Sequence, residues 1–307
     1  MRPDEQLDAV AVPGAVVQGI LGEDNVIANI DEEELPVGRR WHRPKGLRLL
    51  AAIWLILILG ACFLAPWLPL PDPEAGVGEI AEKPFSPGHI LGTDQLGRDM
   101  MSRILWGGRT SCFLAIMTTL LAATLGLTLG ILAGYFKGKL EWLIAGAADV
   151  LLAFPALIML IVLTSIFGLS VRNLILGLFV LGTPAFVRIA RAHTLVLSQK
   201  EYVLAARGSG ARQRRIMFRH IMPSVLGPIS AYALTYAAII FVAEGSLSFL
   251  GLGVPPPTPA WGSMIAAGRT WIDRALHIVL IPSIVLVLTV LSLNFLGDRS
   301  GHGGRDG

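Results

Sequence analysis

Six apolar runs, each close to twenty residues long, dominate this chain and restrict what it can fold into. A helix rises about 1.5 Å per residue, so roughly twenty apolar residues cross the ~30 Å hydrocarbon core of a bilayer. The runs are Leu47–Trp67, Cys112–Ala133, Trp142–Phe167, Leu174–Ala192, Val225–Leu250 and Leu276–Leu296. Lipid offers backbone amides no partner, so runs of this kind must be helical. A chain that is 53% hydrophobic and 15% charged, with mean hydropathy +0.64, is too apolar for a soluble domain. The expectation is an all-α integral membrane protein with six transmembrane helices.

The charges give that bundle a direction. Residues 1–46 form an acidic arm followed by a basic flank. The arm holds Asp4, Glu5, Asp8, Glu23, Asp24 and the run Asp31 to Glu34, and the flank holds Arg39, Arg40, Arg43 and Lys45. No apolar core follows a basic start, so this is not a secretory leader. The basic cluster keeps the N-terminal side of the first helix (47–67) in the cytoplasm. Trp67 and the prolines Pro66, Pro69, Pro71 and Pro73 then mark the outer interface. Residues 68–109 are expected outside and 110–298 as a five-helix core with a cytoplasmic loop at 193–224. The 299–307 tail is cytoplasmic, and counting spans puts Lys137 and Lys139 inside as well. The expectation is a multi-pass membrane protein with both termini cytoplasmic. Gly126 and Gly130 in the second run are small residues of the kind that let membrane helices approach closely.

Glu201 to Pro223 is the one long polar segment between two strongly apolar runs. Its first residues favour a short helix, which Gly208 and Gly210 interrupt. Gly210 is expected at positive φ, with Ala211 to His220 resuming as a basic helix. Ala205-Ala206, Gly210, Ile221 and Pro223 resemble the cytoplasmic coupling (EAA) loop of ABC-importer permeases. Glu201, Tyr202, Arg207, Ala211, Arg215, Arg219 and His220 narrow the resemblance to the oligopeptide/dipeptide branch. Where the wider family has a glutamate directly before the two alanines, this chain has Leu204, with Glu201 one turn earlier. Two further stretches carry the same resemblance. One is Gly92-Thr93-Asp94 with Gly97-Arg98-Asp99, expected as a turn and cap leading into an interfacial helix. The other begins at Leu247 and includes Pro255–Pro257, with a short interfacial helix around Trp261, Ile265 and Trp271 that is either an aromatic-belt anchor or a surface that meets a binding protein.

The resemblance covers about residues 39–298 and implies a type I importer-like permease with a cytoplasmic coupling helix, placed in a bacterial inner (plasma) membrane. It implies a homologous second permease, two ATPase subunits or one fused tandem ATPase, and an extracytoplasmic substrate-binding protein. The implied cargo is a di- or oligopeptide, and surrounding lipid is the remaining partner. Nucleic acid is not among them. No Gly-x4-Gly-Lys-Ser/Thr loop is present, so ATP and Mg belong to the partner ATPases, and the chain itself has no cofactor, metal or catalytic residue.

Asp149 and Glu244 fall within apolar runs, where an ionisable side chain is costly and calls for a partner or a task. One reading is pairing with neighbouring helices; the alternative is a proton-coupled secondary transporter that uses both carboxylates. Phe154-Pro155 marks a kink in the third run, and Arg188 and Arg191, near the inner end of the fourth run, are expected to snorkel or to face the ATPase side. Cys62 and Cys112 are too few for a disulfide framework or a metal quartet. They either pair or act as small buried hydrophobes.

Overall fold

In the computed structural model, residues 45–300 are described, and every regular element among them is helical. Helix α1 spans Lys45–Leu64 and closes with a 3-10 turn at Ala65–Trp67. Helix α2 spans Met100–Phe136, α3 Gly138–Ala153, α4 Ala156–Phe167 and α5 Val171–Leu197. Two short helices follow, α6 (Glu201–Gly208) and α7 (Gln213–Ile216), the second continuing through a π-helical turn at Met217–Ile221. Helix α8 spans Met222–Phe249, α9 Trp261–Gly268 and α10 His277–Ser300. Helix α2 is the centre, packing against α5, α8 and α1, while α10 packs against α8 and α1.

Five of these helical stretches are long and apolar enough to cross a membrane. The third apolar run is not a straight span. Helices α3 and α4 meet at an 87° bend, and neither reaches across a bilayer alone. Proline accounts for the break: Pro155 lacks an amide proton and forces Phe154 out of the α region, to φ −82° and ψ 132°. The kink expected at Phe154-Pro155 is therefore a full corner, and the six expected spans are five plus this bent pair.

The segment expected to carry an interfacial helix after Asp94 differs more. Asp99, not Asp94, caps the helix, accepting the Ser102 amide at 2.8 Å. Helix α2 then runs uninterrupted from Met100 for 37 residues, about 55 Å. Residues 72–99 fold instead into a hydrogen-bonded knot over the start of α2. Asp94 is its hub, accepting the amides of Leu96 and Arg98 at 2.8 and 3.0 Å and the Arg98 Nε at 2.7 Å. Arg103 Nε lies 3.2 Å from the same carboxylate. Thr93 is fully buried; its hydroxyl accepts the Glu82 amide and donates to the Glu79 carbonyl. Asp99 also meets His89 Nδ1 at 2.9 Å, and His277 Nε2 sits 3.2 Å from the Thr93 carbonyl oxygen. Gly92 and Gly97 take φ +76° and +72°, and a β-carbon on either would run into a backbone carbonyl, of Glu82 and Gly78 respectively. Sterics thus fix both glycines of this motif.

Candidate functional site

The polar loop sits at the far end of α2 from the knot, where Arg207 stacks over the Tyr135 ring at 5.2 Å. Three local choices shape it. Lys200, in extended backbone, opens α6. Val203 is fully buried and pins one face of α6 to the bundle. The helix then ends in two bonds: the Gly210 amide donates to the Arg207 carbonyl at 3.0 Å, and the Ala211 amide to the Ala206 carbonyl at 3.1 Å. That pair of bonds, with Gly210 at φ +75°, is a Schellman ending, which needs a left-handed residue at this position. The positive φ expected at Gly210 is observed. Helical structure resumes at Gln213 rather than Ala211, because Arg212 is extended (φ −61°, ψ 139°), and it passes through the π turn before joining α8.

The motif residues divide cleanly by exposure. Glu201, Tyr202, Leu204, Ala205, Arg207, Gly210, Arg215, Arg219 and Pro223 are on the surface, and Ala206, Ala211 and His220 are half-buried. Tyr202 and His220 have ring centroids 6.4 Å apart, which ties α6 to the π turn. Ile216, Met217 and Ile221 are buried beneath. Glu201 and Leu204 are both exposed on α6, one turn apart. The result is a protruding α-turn-α knob with a basic, partly apolar outer surface on a fixed apolar root.

The two intramembrane carboxylates have quite different surroundings. Asp149, on α3, accepts from Arg188 Nη2 of α5 at 2.6 Å. Below it Glu141 accepts from Arg191 Nε at 2.9 Å. Arg188 and Arg191 thus each pair sideways with a carboxylate of α3, partners that the sequence did not indicate. Nothing in the sequence singled out Glu141, although its position in the first turn of α3 was visible.

Glu244 is 1% exposed. It accepts the Gly262 amide at 3.2 Å, the Ser111 hydroxyl at 3.3 Å and the Ser248 hydroxyl at 3.3 Å. Ser111 in turn accepts the Trp261 amide at 3.0 Å. Ala260, at the N-cap of α9, has no side-chain acceptor, so Glu244 supplies from α8 the cap that the local sequence lacks. Trp261 is fully buried, stacked on Phe241 with its indole N–H donating to the Ile104 carbonyl at 2.9 Å, and is not the interfacial anchor expected. Cys62 and Cys112 are both buried and free. This arrangement sets an expectation for Glu244. Glu244→Gln keeps an acceptor for Gly262 and should leave the protein's thermal midpoint within a few degrees of the parent. Glu244→Leu strands a buried amide and two hydroxyls, each costing about 1–3 kcal/mol, and should lower the midpoint sharply. Equal midpoints for the two variants would rule out the capping role.

Comparison with known proteins agrees with this architecture. Residues 126–301 match the family described as "Binding-protein-dependent transport system inner membrane component". The chain is 38% identical to the glutathione transport system permease protein GsiD of Pectobacterium atrosepticum over 250 residues, covering 81% of this chain and 83% of that protein. It is 36% identical to a putative peptide transport system permease protein of Brucella suis, covering 85% and 87%. It is 34% identical to the di/tripeptide transport system permease protein DppC of Pseudomonas aeruginosa, covering 80% and 83%. Among solved structures, an inward-facing MetNI methionine ABC transporter chain matches at TM-score 0.54 and 18% identity, over 65% of this chain and 95% of that one.

Proposed function

We propose a working assembly from one premise: this chain belongs to the binding-protein-dependent transport system inner membrane component family, the permease subunits of ABC importers. It is a multi-pass, non-enzymatic transport component. In the assembly it lines half of a translocation pathway for short peptides, opposite a homologous second permease. Two ATPase subunits, or one fused tandem ATPase, hold ATP and Mg, and an extracytoplasmic binding protein delivers the cargo. The cargo assignment is supported by relatives named for glutathione, peptides and di/tripeptides, which share a short zwitterionic peptide chemistry. None of the relatives above is named for proton-driven transport.

The observation that carries the coupling role is the Schellman-ended helix α6. It presents Tyr202 and Leu204, both nearly half exposed, from a rigid root set by the buried Val203. An apolar surface held on a polar loop is a docking surface. ATP-driven closure of the ATPases would push on this knob, and the packed helices would transmit the push as a rigid-body rocking between inward- and outward-open states. Co-purification of the complex with mass spectrometry of bound subunits, together with ATP-dependent uptake of labelled peptides, tests the assembly. Recovery of the permease without ATPases would refute it.

Orientation follows from the same reading: α6 faces the cytoplasm of a bacterial cell, the 72–99 knot faces outward, and both termini are inside. In intact cells an impermeant thiol reagent should label Ser86→Cys, half-buried in the knot between the exposed Phe85 and Pro87, and not Ser209→Cys, at the exposed end of α6. The opposite pattern would invert the topology.

A further inference from the structure

The ion pair between Asp149 and Arg188 is oddly placed. Asp149 lies about 17 Å along α3 from Gly138, and Arg188 about 14 Å along α5 from Leu197, and both fall within apolar runs of the sequence, Trp142–Phe167 and Leu174–Ala192. Yet the side chains of Arg188 and Asp149 are 58% and 62% exposed on this chain. Two ionised groups that open to their surroundings cannot face hydrocarbon without a large cost, and in membrane proteins such groups face a bundle interior or a water-filled space. Snorkelling does not relieve them, because the guanidinium reaches across to α3 and not along α5 to the surface.

On α5, the exposed residues following Arg188 are Ala192, His193 and, in the last turn, Val196, and on α3 Val150 beside Asp149 is exposed as well. On α4, beyond the 87° corner, the exposed residues are mostly large and apolar, among them Leu157, Ile158, Ile161, Val162 and Ile166, with Ser165 the one polar side chain, its hydroxyl donating to the Ile161 carbonyl. The surface of α4 is therefore that of a lipid-facing helix, whereas the α3–α5 surface carries an exposed ion pair.

We propose that Asp149 and Arg188 face the aqueous translocation pathway and offer an anion and a cation to the charged ends of a zwitterionic peptide in transit. This rests on the importer reading above and adds to it the first pathway-wall residues. In water, opposite charges about 4 Å apart attract weakly enough for each member of the pair to exchange partners. A solvated peptide amine can therefore replace Arg188 at Asp149, and a peptide carboxylate can replace Asp149 at Arg188, with no net charge left unpaired.

The test is thiol labelling of the full transporter in inside-out vesicles. The parent, whose Cys62 and Cys112 are buried, gives the background. Asp149→Cys leaves the Arg188 cation and should react about fivefold faster with an anionic methanethiosulfonate than with a cationic one; Arg188→Cys should show the inverse preference. Ala153→Cys and Ala192→Cys lie one turn away on the same helix faces, retain the pair, and should be labelled by both reagents even if the charge variants assemble poorly. Labelling without the inverted charge preference overturns the cargo-pairing role. Labelling by a lipophilic maleimide alone assigns the face to lipid, and no labelling by any reagent assigns it to the second permease; either overturns the proposal. ATPase co-purification is scored in the same preparations. Complexes that hold their ATPases but resist the charged reagents refute only the pathway assignment, whereas a parent complex without ATPases refutes the importer reading with it.

Discussion

Gly210→Val should abolish peptide uptake while the permease still inserts and its helices still pack. The position is defined by backbone, not by space. Within this chain a β-carbon there meets nothing within 4 Å, so no internal clash arises. The cost is conformational: φ of +75° is open to glycine and strongly disfavoured for a β-branched residue, by about 1–3 kcal/mol. Relieving that strain means turning Gly210 out of the left-handed region, which breaks its bond to the Arg207 carbonyl and the Ala211 bond to Ala206. The end of α6 then unwinds and Tyr202 and Leu204 lose their fixed relation to the root at Val203. The strain is small beside the stability of a membrane bundle, so assembly survives, but a lever that must transmit a push cannot tolerate a hinge at its end. Gly210→Asn, which accepts the left-handed conformation, should retain most uptake, and Gly208→Ala, inside the helix with open space around it, should be neutral. ATPase pull-down and uptake at matched expression decide the matter. A Gly210→Val complex that binds its ATPases and transports like the parent would show that the loop does not couple.

The parts of this architecture legible in the sequence were those governed by one-dimensional rules. Hydropathy located the spans, because the length of an apolar run is itself the signal for crossing a bilayer. Proline chemistry located the break at Phe154-Pro155, and glycine chemistry the turn at Gly210. What stayed hidden depends on which residues meet across the fold. Asp94 and Asp99 lie in one motif with similar local sequence, and only the folded knot shows that Asp99 caps α2 while Asp94 gathers Arg98 and Arg103. Trp261 has the composition signature of an interfacial anchor, and its burial follows from the arrival of Phe241 and Ile104 from other helices. Glu244 was visible as a costly carboxylate; its partners at Ser111, Ser248 and Gly262 come from three separate parts of the chain. Arg188 and Arg191 were visible as charges near the end of an apolar run, but their partners on α3 lie 39 and 50 residues away in the chain.

The largest effect on stability is expected at Gly130. Helix α2 presents Gly126, Gly130 and Gly134 at four-residue spacing, all buried, against α5. Lipid provides no hydrophobic drive for helix association, so this contact depends on close backbone approach and the dispersion it allows. A β-carbon at Gly130 would stand 2.5 Å from the Ala190 Cβ, 2.7 Å from the Val187 carbonyl oxygen and 3.0 Å from the Arg191 amide nitrogen. Gly126 meets the Phe186 side chain and the Thr183 carbonyl in the same way, and Gly134 meets Thr194 and the Arg191 carbonyl. Two of the three obstacles at Gly130 are backbone, so no rotamer change relieves them and the helices must separate along their whole contact. Overpacking of this kind costs about 1–3 kcal/mol for the first carbon, and a valine adds two more methyl groups in the same space. Gly130→Val should therefore yield little monodisperse complex and a much lower thermal midpoint, with Gly130→Ala intermediate. Ala190→Gly should not rescue it, because the Val187 carbonyl and the Arg191 amide remain in place. Gly146→Ala on α3, where a β-carbon meets nothing within 4 Å, serves as the matched control and should leave the midpoint unchanged. A Gly130→Val complex that elutes as a single peak and melts within a few degrees of the parent would mean that the α2–α5 contact is not the keystone of the bundle. Rescue by Ala190→Gly would instead place the clash in the side chain and leave the backbone approach looser than the structure has it.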